Sequence, residues 1–252
     1  MTSTVLELHS LARSFGGIKA VQDVSFTLRK GEIVGLIGPN GSGKTTLVNC
    51  ITGVHKPTAG KVVFYGEDVT KQKPHQAAQR GLCRTFQIVQ PFPEMTVREN
   101  VAAGALFAQK INSLSKALDK ADEYVNFVGI HEMADIPAAS LTLANRKKLE
   151  LAKSLAMDPK VLMLDEVNAG LNSGEIIGAL NLIKKISQKG ISIIIIEHLM
   201  KVIMTLSERI IVLHNGELIA EGLPTEIINN PQVIKAYLGE KFAKRLMEEK
   251  ND

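Results

Sequence analysis

"EIVGLIGPNGSGKTTLVNCIT", residues 32–52, decides how this chain folds. Its first seven residues are apolar enough to be covered on both faces, as the central strands of parallel sheets are. A glycine-rich turn follows, and residues 44–52 read as a helix. Inside the stretch, "GPNGSGKTT" fits the phosphate-loop pattern G-x-x-x-x-G-K-[ST], in the strand–loop–helix setting that gives the pattern its meaning. A plain glycine turn is the competing reading, but chance assembly of the fixed positions right after a buried strand is rare.

The chemistry follows from the residue types. Glycines lack Cβ atoms, so backbone N–H groups of residues 41–46 can wrap phosphate oxygens at the start of a helix. Candidate binding residues are Gly38, Pro39, Asn40, Gly41, Ser42, Gly43, Lys44, Thr45 and Thr46. Lys44 would bring a point charge to the β and γ phosphates, and the Thr45 hydroxyl can hold Mg²⁺.

Strand-like alternation flanks this element. "TVLELHS" and "VSFTLRK" precede it, the latter putting Val24, Phe26 and Leu28 on one face, and "KVVFYGEDVT" follows the turn "KPTAG". These strands read as antiparallel. From residue 95 to 157 the pattern changes to helix, and "LTLANRKKLELAKSLA", residues 141–156, shows it well. Thr142 is a candidate N-cap, Leu149, Ala152, Leu155 and Ala156 form one apolar stripe, and Lys147, Lys148 and Lys153 are expected to face water. After it "KVLMLDE", a helix over 174–189, "ISIIIIEH" and "RIIVLHNGELIAEG" restore strand–helix alternation and imply a return to a parallel sheet. The helical block is an insertion.

Composition excludes several classes. At 252 residues, with 45% AVILMFWYC and 22% charged residues, the chain is an ordinary globular protein and not a disordered one. Its longest apolar stretch, "ISIIII", is far too short to span a bilayer. "MTSTVLELHS" lacks the basic start and apolar core of a secretory signal, so the expected location is cytoplasmic. The net charge of +4 comes from dispersed lysines, and the Lys-rich tail "EKFAKRLMEEKND" is balanced by glutamates, a solvated face with no nucleic-acid partner expected. Cys50 and Cys83 lack CxxC spacing and read as inert buried thiols.

"VLMLDE" supplies a second half-site. Asp165 ends an apolar strand, where ligands of α/β sheets collect, and would support Mg²⁺ through water. Glu166 beside it could deprotonate an attacking water. A helix-capping acid pair is the bland alternative, weakened by the presence of a phosphate loop.

The ordered set "GPNGSGKTT", Gln87 in "CRTFQ", "VLMLDE" and His198 in "IIIIEH" resembles the ATPase subunit of ATP-binding cassette transporters across nearly the whole chain. The resemblance implies an α/β fold: a P-loop NTPase (RecA-like) core with an antiparallel β subdomain, residues 1–90 and 158–252, and an inserted α-helical subdomain, residues 91–157, together one domain over 1–252. It implies ATP and Mg²⁺ as ligands and ATP hydrolysis as the activity. Gln87 would touch Mg²⁺ and the attacking water and sense a membrane partner, and His198 would contact the γ-phosphate, although a lone histidine is more often structural. Phe15 in "RSFGG" resembles the aromatic that stacks on adenine, a core phenylalanine being the competing reading.

Where the family carries Leu-Ser-Gly-Gly-Gln, this chain has Leu141-Thr142-Leu143-Ala144-Asn145. Thr142 keeps a hydroxyl and Asn145 an amide, so both are candidate nucleotide contacts, while Leu143 and Ala144 replace glycines where a backbone should come close. "AGLN", residues 169–172, stands where the family crosses between two ATPase subunits, with Asn172 in place of the usual aspartate; a glycine turn before the next helix is the alternative.

"RSFGGIKAVQDVSF", "RTFQIVQPFPEMTVRENV" and "EGLPTEIINNPQVIKAYLGE" resemble ATPase subunits of branched-chain amino acid importers. That resemblance implies work as a dimer of ATPase subunits, on transmembrane permease subunits served by an external substrate-binding protein, at the inner face of the cell membrane; the altered signature at residues 141–145 points to a second, different ATPase subunit as the partner, a homodimer being the alternative. Pro91, Phe92 and Pro93 read as part of the permease-coupling surface. Urea or short-amide importers, a lipopolysaccharide exporter, a soluble ATPase acting on ribosomes or DNA, and a regulatory subunit without hydrolysis are the alternatives.

Overall fold

The computed structural model describes residues 3–85, 90–108 and 111–238. Two compact units divide the chain, Met1–Lys71 with Ile194–Asp252, and Gln72–Ile193. The first unit opens with β1 (Thr4–Phe15), β2 (Ile18–Arg29), β3 (Ile33–Ile37), α1 (Lys44–Ile51), β4 (Ala59–Phe64) and β5 (Glu67–Asp68). The second holds α2 (Pro74–Arg80), β6 (Leu82–Arg84), α3 (Val97–Ala108), α4 (Leu114–Phe127), α5 (Leu143–Ala156), β7 (Val161–Asp165) and α6 (Ser173–Gln188). Strand β8 (Ser192–Ile196) straddles the boundary, and α7 (Met200–Leu206), β9 (Arg209–His214), β10 (Glu217–Gly222), α8 (Pro224–Ile227) and α9 (Pro231–Leu238) return to the first unit.

In the first unit, period-two alternation builds an antiparallel sheet in the order β2-β1-β4-β5, with Leu8 opposite Phe26 and Leu6 opposite Phe64. Val24, Phe26 and Leu28 are buried together, as their alternation predicts. The continuous apolar run of β3 is buried at every position and pairs in parallel with β9, which in turn pairs antiparallel with β10. Helix α1 covers its apolar side with Leu47, Val48 and Ile51. It ends at Ile51, a residue before the expected limit, with Thr52 as its C-cap and Gly53 following in left-handed backbone at φ 77°.

The second unit carries the predicted helical block. Small residues let its helices approach closely: a Cβ on Gly104 of α3 would stand 2.7 Å from the Lys153 carbonyl of α5, and Ala105, Ala117, Ala121 and Ala152 are fully buried. β7 is buried throughout and pairs in parallel with β6. Neither α2 nor β6 was anticipated, since each is shorter than a periodic pattern needs; α2 is delimited by Pro74 at its first turn and by Gly81, φ 92°, at its C-cap. Cys50 and Cys83 are buried thiols, pushed up to about 11 and about 12 by desolvation.

Candidate functional site

The phosphate loop leaves the C-terminal end of β3 in the first unit. Gly38 has φ 153°, and a Cβ there would meet the Leu213 carbonyl at 2.2 Å and Ser42 Oγ at 2.5 Å. Gly43 has φ 103°, and its Cβ would meet the Ala20 carbonyl at 2.3 Å. Neighbouring backbone therefore dictates glycine at both positions. Gly41, φ 78°, faces open space within 4 Å, which leaves room for a ligand to reach its N–H. The Ser42 carbonyl accepts from Gly216 N at 3.0 Å, which ties the loop to the turn after β9.

Lys44 starts α1 and is nearly buried. Its Nζ donates to the Gly38 carbonyl at 2.6 Å, the Pro39 carbonyl at 3.1 Å and Ser42 Oγ at 3.4 Å, so the charge is folded over its own loop. Thr45 is exposed beside it, and Thr46 and Pro39 are half-buried. Sequence reasoning missed Tyr237 of α9, whose hydroxyl is hydrogen-bonded to the Gly38 backbone; burial pushes the phenol up and that bond partly offsets it. The C-terminal segment thus reaches the phosphate loop. Phe15 is 39% exposed and so is no core residue; the Arg13 guanidinium lies 4.4 Å over its ring and His55 packs against it edge-on. His198 is exposed in the turn between β8 and α7. Gln87 lies outside the described residues.

In the second unit, β7 delivers Asp165 and Glu166. Asp165 is buried, its backbone N–H donates to Thr85 Oγ1 at 3.2 Å, and its carboxylate stands 3.4 Å from Arg84 Nη2. Burial lowers the Arg84 pKa, and Asp165 raises it again in part. Glu166 is half-buried and sits at φ 49°, left-handed backbone for a non-glycine residue.

Helix α5 corrects one expectation. Leu149, Ala152, Leu155 and Ala156 are buried as the stripe requires, but Lys147 does not face water: it is 8% exposed, and its Nζ donates to the carbonyls of Glu166 at 3.2 Å and Val167 at 2.9 Å. One apolar stripe predicts a single covered face, whereas Lys147, Glu150, Leu151 and Ser154 form a second covered face of polar as well as apolar residues. Thr142 caps the helix by accepting from Asn145 N at 3.4 Å, and Asn145 Nδ2 lies 3.2 Å from Met133 Sδ. Leu143, 49% exposed, leans over Gly170, whose Cβ would meet it at 2.9 Å. Asn172 caps α6, accepting from the N–H groups of Gly174 and Glu175 at 3.0 Å, so α6 starts one residue earlier than anticipated.

Each unit carries a donor of the kind that Mg²⁺ takes. Thr45 and Asp165 offer hard oxygen atoms, and the described residues contain no cluster of three or more His, Cys, Asp or Glu side chains that would make a protein-only metal cage. An ion held mainly by phosphates and water needs no such cage.

The ABC transporter family profile matches residues 21–169, from β2 past Glu166 and through the whole phosphate loop. This chain belongs to the ABC transporter family. A second profile, for branched-chain amino acid ATP-binding cassette transporters, matches residues 217–243 of the cassette, the segment that carries Tyr237. The cassette is 41% identical to the high-affinity branched-chain amino acid transport ATP-binding protein LivG of Salmonella typhimurium, over 95% of this chain and 100% of that protein. Among solved structures it resembles the ADP conformation of MJ1267, an ATP-binding cassette of an ABC transporter, with TM-score 0.86 and 32% identity, covering 95% of this chain and 100% of that one. It also resembles the dimeric post-hydrolysis state of the cassette MJ0796 bound to ADP and Pi, with TM-score 0.77 and 25% identity over 87% of this chain and 98% of that one. Its activity is ATP hydrolysis coupled to transport. Among the described residues no helix is long and apolar enough to cross a membrane.

Proposed function

We propose that this cassette powers import of branched-chain amino acids, as one of two ATPase subunits seated on transmembrane permease subunits at the inner face of the membrane, with an external binding protein delivering the cargo. The observation that carries this reading is the end-to-end similarity to LivG, extended by the separate match over the C-terminal segment.

The residues supply the chemistry as follows. N–H groups of residues 41–46 receive the phosphates of ATP, and Lys44, which now spends its hydrogen bonds on Gly38, Pro39 and Ser42, turns its charge to the β and γ phosphates. Phe15, which is partly exposed, stacks on adenine. Thr45, Asp165 and Gln87 would hold Mg²⁺, which when bound spreads the charge developing on the transferred phosphoryl group. Glu166 takes the proton of the attacking water, and His198 and Gln87 orient the γ-phosphate and that water. Thr142 and Asn145 meet the nucleotide of the partner ATPase, so the altered signature makes the pair asymmetric, with a different subunit supplying the signature to the nucleotide on Lys44.

Purification from native membranes tests the assignment. The expected result is a complex containing permease subunits and a second, different cassette, with uptake of labelled leucine, isoleucine or valine that requires ATP. Lipid-exporting membrane subunits, or ribosomes or DNA in place of membrane subunits, would overturn it.

A further inference from the structure

We infer that Lys147 is a positioning residue for hydrolysis: it clamps the backbone that aims the Glu166 carboxylate, and so links the signature helix of this chain to the chain's own general base. The inference rests on Glu166 being that base.

The geometry supports it in three ways. Lys147 is 8% exposed, and its ammonium donates to two successive carbonyls, Glu166 at 3.2 Å and Val167 at 2.9 Å. Charge-assisted bonds of this kind are stronger than neutral ones, and two of them fix both the position and the tilt of the intervening peptide. Glu166 occupies left-handed backbone at φ 49°, a conformation that persists for a non-glycine residue only where its surroundings impose it. One constraint is the N–H of Ala169, which donates to the Glu166 carbonyl at 3.1 Å; Lys147 adds another, and it comes from a different element.

Lys147 also stands on the element that begins with the signature. Thr142 caps α5, and Lys147 lies four residues beyond Leu143, about 6 Å along the helix axis. A helix moves as a rod over that distance, so a shift of the signature end, such as contact with another subunit's nucleotide would impose, is delivered to the 166–167 peptide. The stem of Lys147 adds no such link by itself; the donors do. A methionine would fill much the same space and leave the two carbonyls without the ammonium.

The test uses the purified transporter for turnover and the full chain for ATP binding. In Lys147→Met, kcat should fall about ten- to hundredfold, as misplacement of a catalytic group does, while the ATP dissociation constant stays within about threefold. Lys147→Arg, which restores donors at the same place, should recover most of the turnover. In a Glu166→Gln background Lys147→Met should add less than about threefold, because the two residues act on one step. Wild-type kcat in Lys147→Met with Glu166→Gln inactive would overturn the clamp and leave the base standing, whereas full turnover in Glu166→Gln would remove the base and the clamp with it. Equal losses of ATP binding and folded stability in both Lys147 variants, or multiplicative losses in the double variant, would show a merely structural lysine and also overturn the clamp.

Discussion

The guanidinium of Arg84 and the carboxylate of Asp165 stand 3.4 Å apart with both side chains nearly buried. The acid proposed to support Mg²⁺ is therefore already partly neutralised by the chain itself. Removing one member of such a pair strands the other charge in a poorly solvated place, which costs about 3 kcal/mol. Arg84→Met should lower the unfolding free energy by that order in urea titration, and adding Asp165→Asn should recover part of it. Additive losses from the two changes would show that the charges do not interact.

Two of the three glycines of the phosphate loop, Gly41 and Gly43, should behave differently. Gly43→Ala combines φ 103° with an Ala20 carbonyl 2.3 Å from the new Cβ, whereas Gly41→Ala meets φ 78° but no atom within 4 Å. Strain of about 1 kcal/mol for a left-handed residue is all that Gly41→Ala incurs in the free chain. Gly43→Ala must also displace backbone, and should weaken ATP binding at least about tenfold more than any loss from strain alone. Melting curves separate the effects: Gly43→Ala should be the less stable of the two.

Phe92 is 51% exposed, and the loop presenting it is organised by Asn100. Fully buried, Asn100 accepts from Phe92 N at 2.8 Å and donates to the carbonyls of Phe92, Met95 and Thr96 at 3.0, 3.2 and 2.9 Å. Phe92→Asp should leave ATP binding within about twofold and abolish co-purification with the permease, since it places a charge in an apolar contact. Asn100→Ala should lose both coupling and about 2 kcal/mol of stability, because buried polar groups lose their partners. Normal transport by Phe92→Asp would locate the coupling surface elsewhere.

Burial of the thiols predicts a pH dependence. Desolvation pushes Cys50 up to about 11, with Arg13 pulling it down in part, and Cys83 up to about 12, with Asp158 adding to the rise. In the unfolded chain both titrate near about 8.5. The folded state thus keeps protons that the unfolded state releases, so this stability is intact below about pH 8.5 and is lost as pH rises toward the folded values. Each thiol should account for about 2 kcal/mol lost between pH 8.5 and 10, and Cys83→Ala should flatten its share of that slope. Neither thiol should react with a maleimide at pH 7.5 until the chain unfolds.

Much of this architecture is legible in the residues because its signals are local. The strand–loop–helix over residues 32–52 needs only a run of apolar side chains and fixed glycines, and the alternation in β2 assigns Val24, Phe26 and Leu28 to one buried face. What stays hidden is long-range. Lys147 reads as a surface lysine because periodicity sees one apolar stripe and cannot see that residues 166 and 167 bring carbonyls to its second face. Arg84 carries no pattern of its own, and its pairing with Asp165 depends on β6 lying beside β7. Asn100 looks like any polar helix residue until four loop contacts converge on it. Tyr237 reaches Gly38 from far along the chain, a contact that no spacing encodes.

Glu166, as the proposed general base, is required for the ATP hydrolysis that drives import of branched-chain amino acids. Uptake of labelled leucine into proteoliposomes bearing the purified transporter, compared between the wild type and Glu166→Gln with ATP on the cassette side, tests it most directly. The expected result is ATP-dependent leucine accumulation by the wild type, and a loss of about two to four orders of magnitude in turnover with ATP binding retained in Glu166→Gln. Undiminished uptake by Glu166→Gln, or a wild type that hydrolyses ATP without moving leucine, isoleucine or valine, would contradict it.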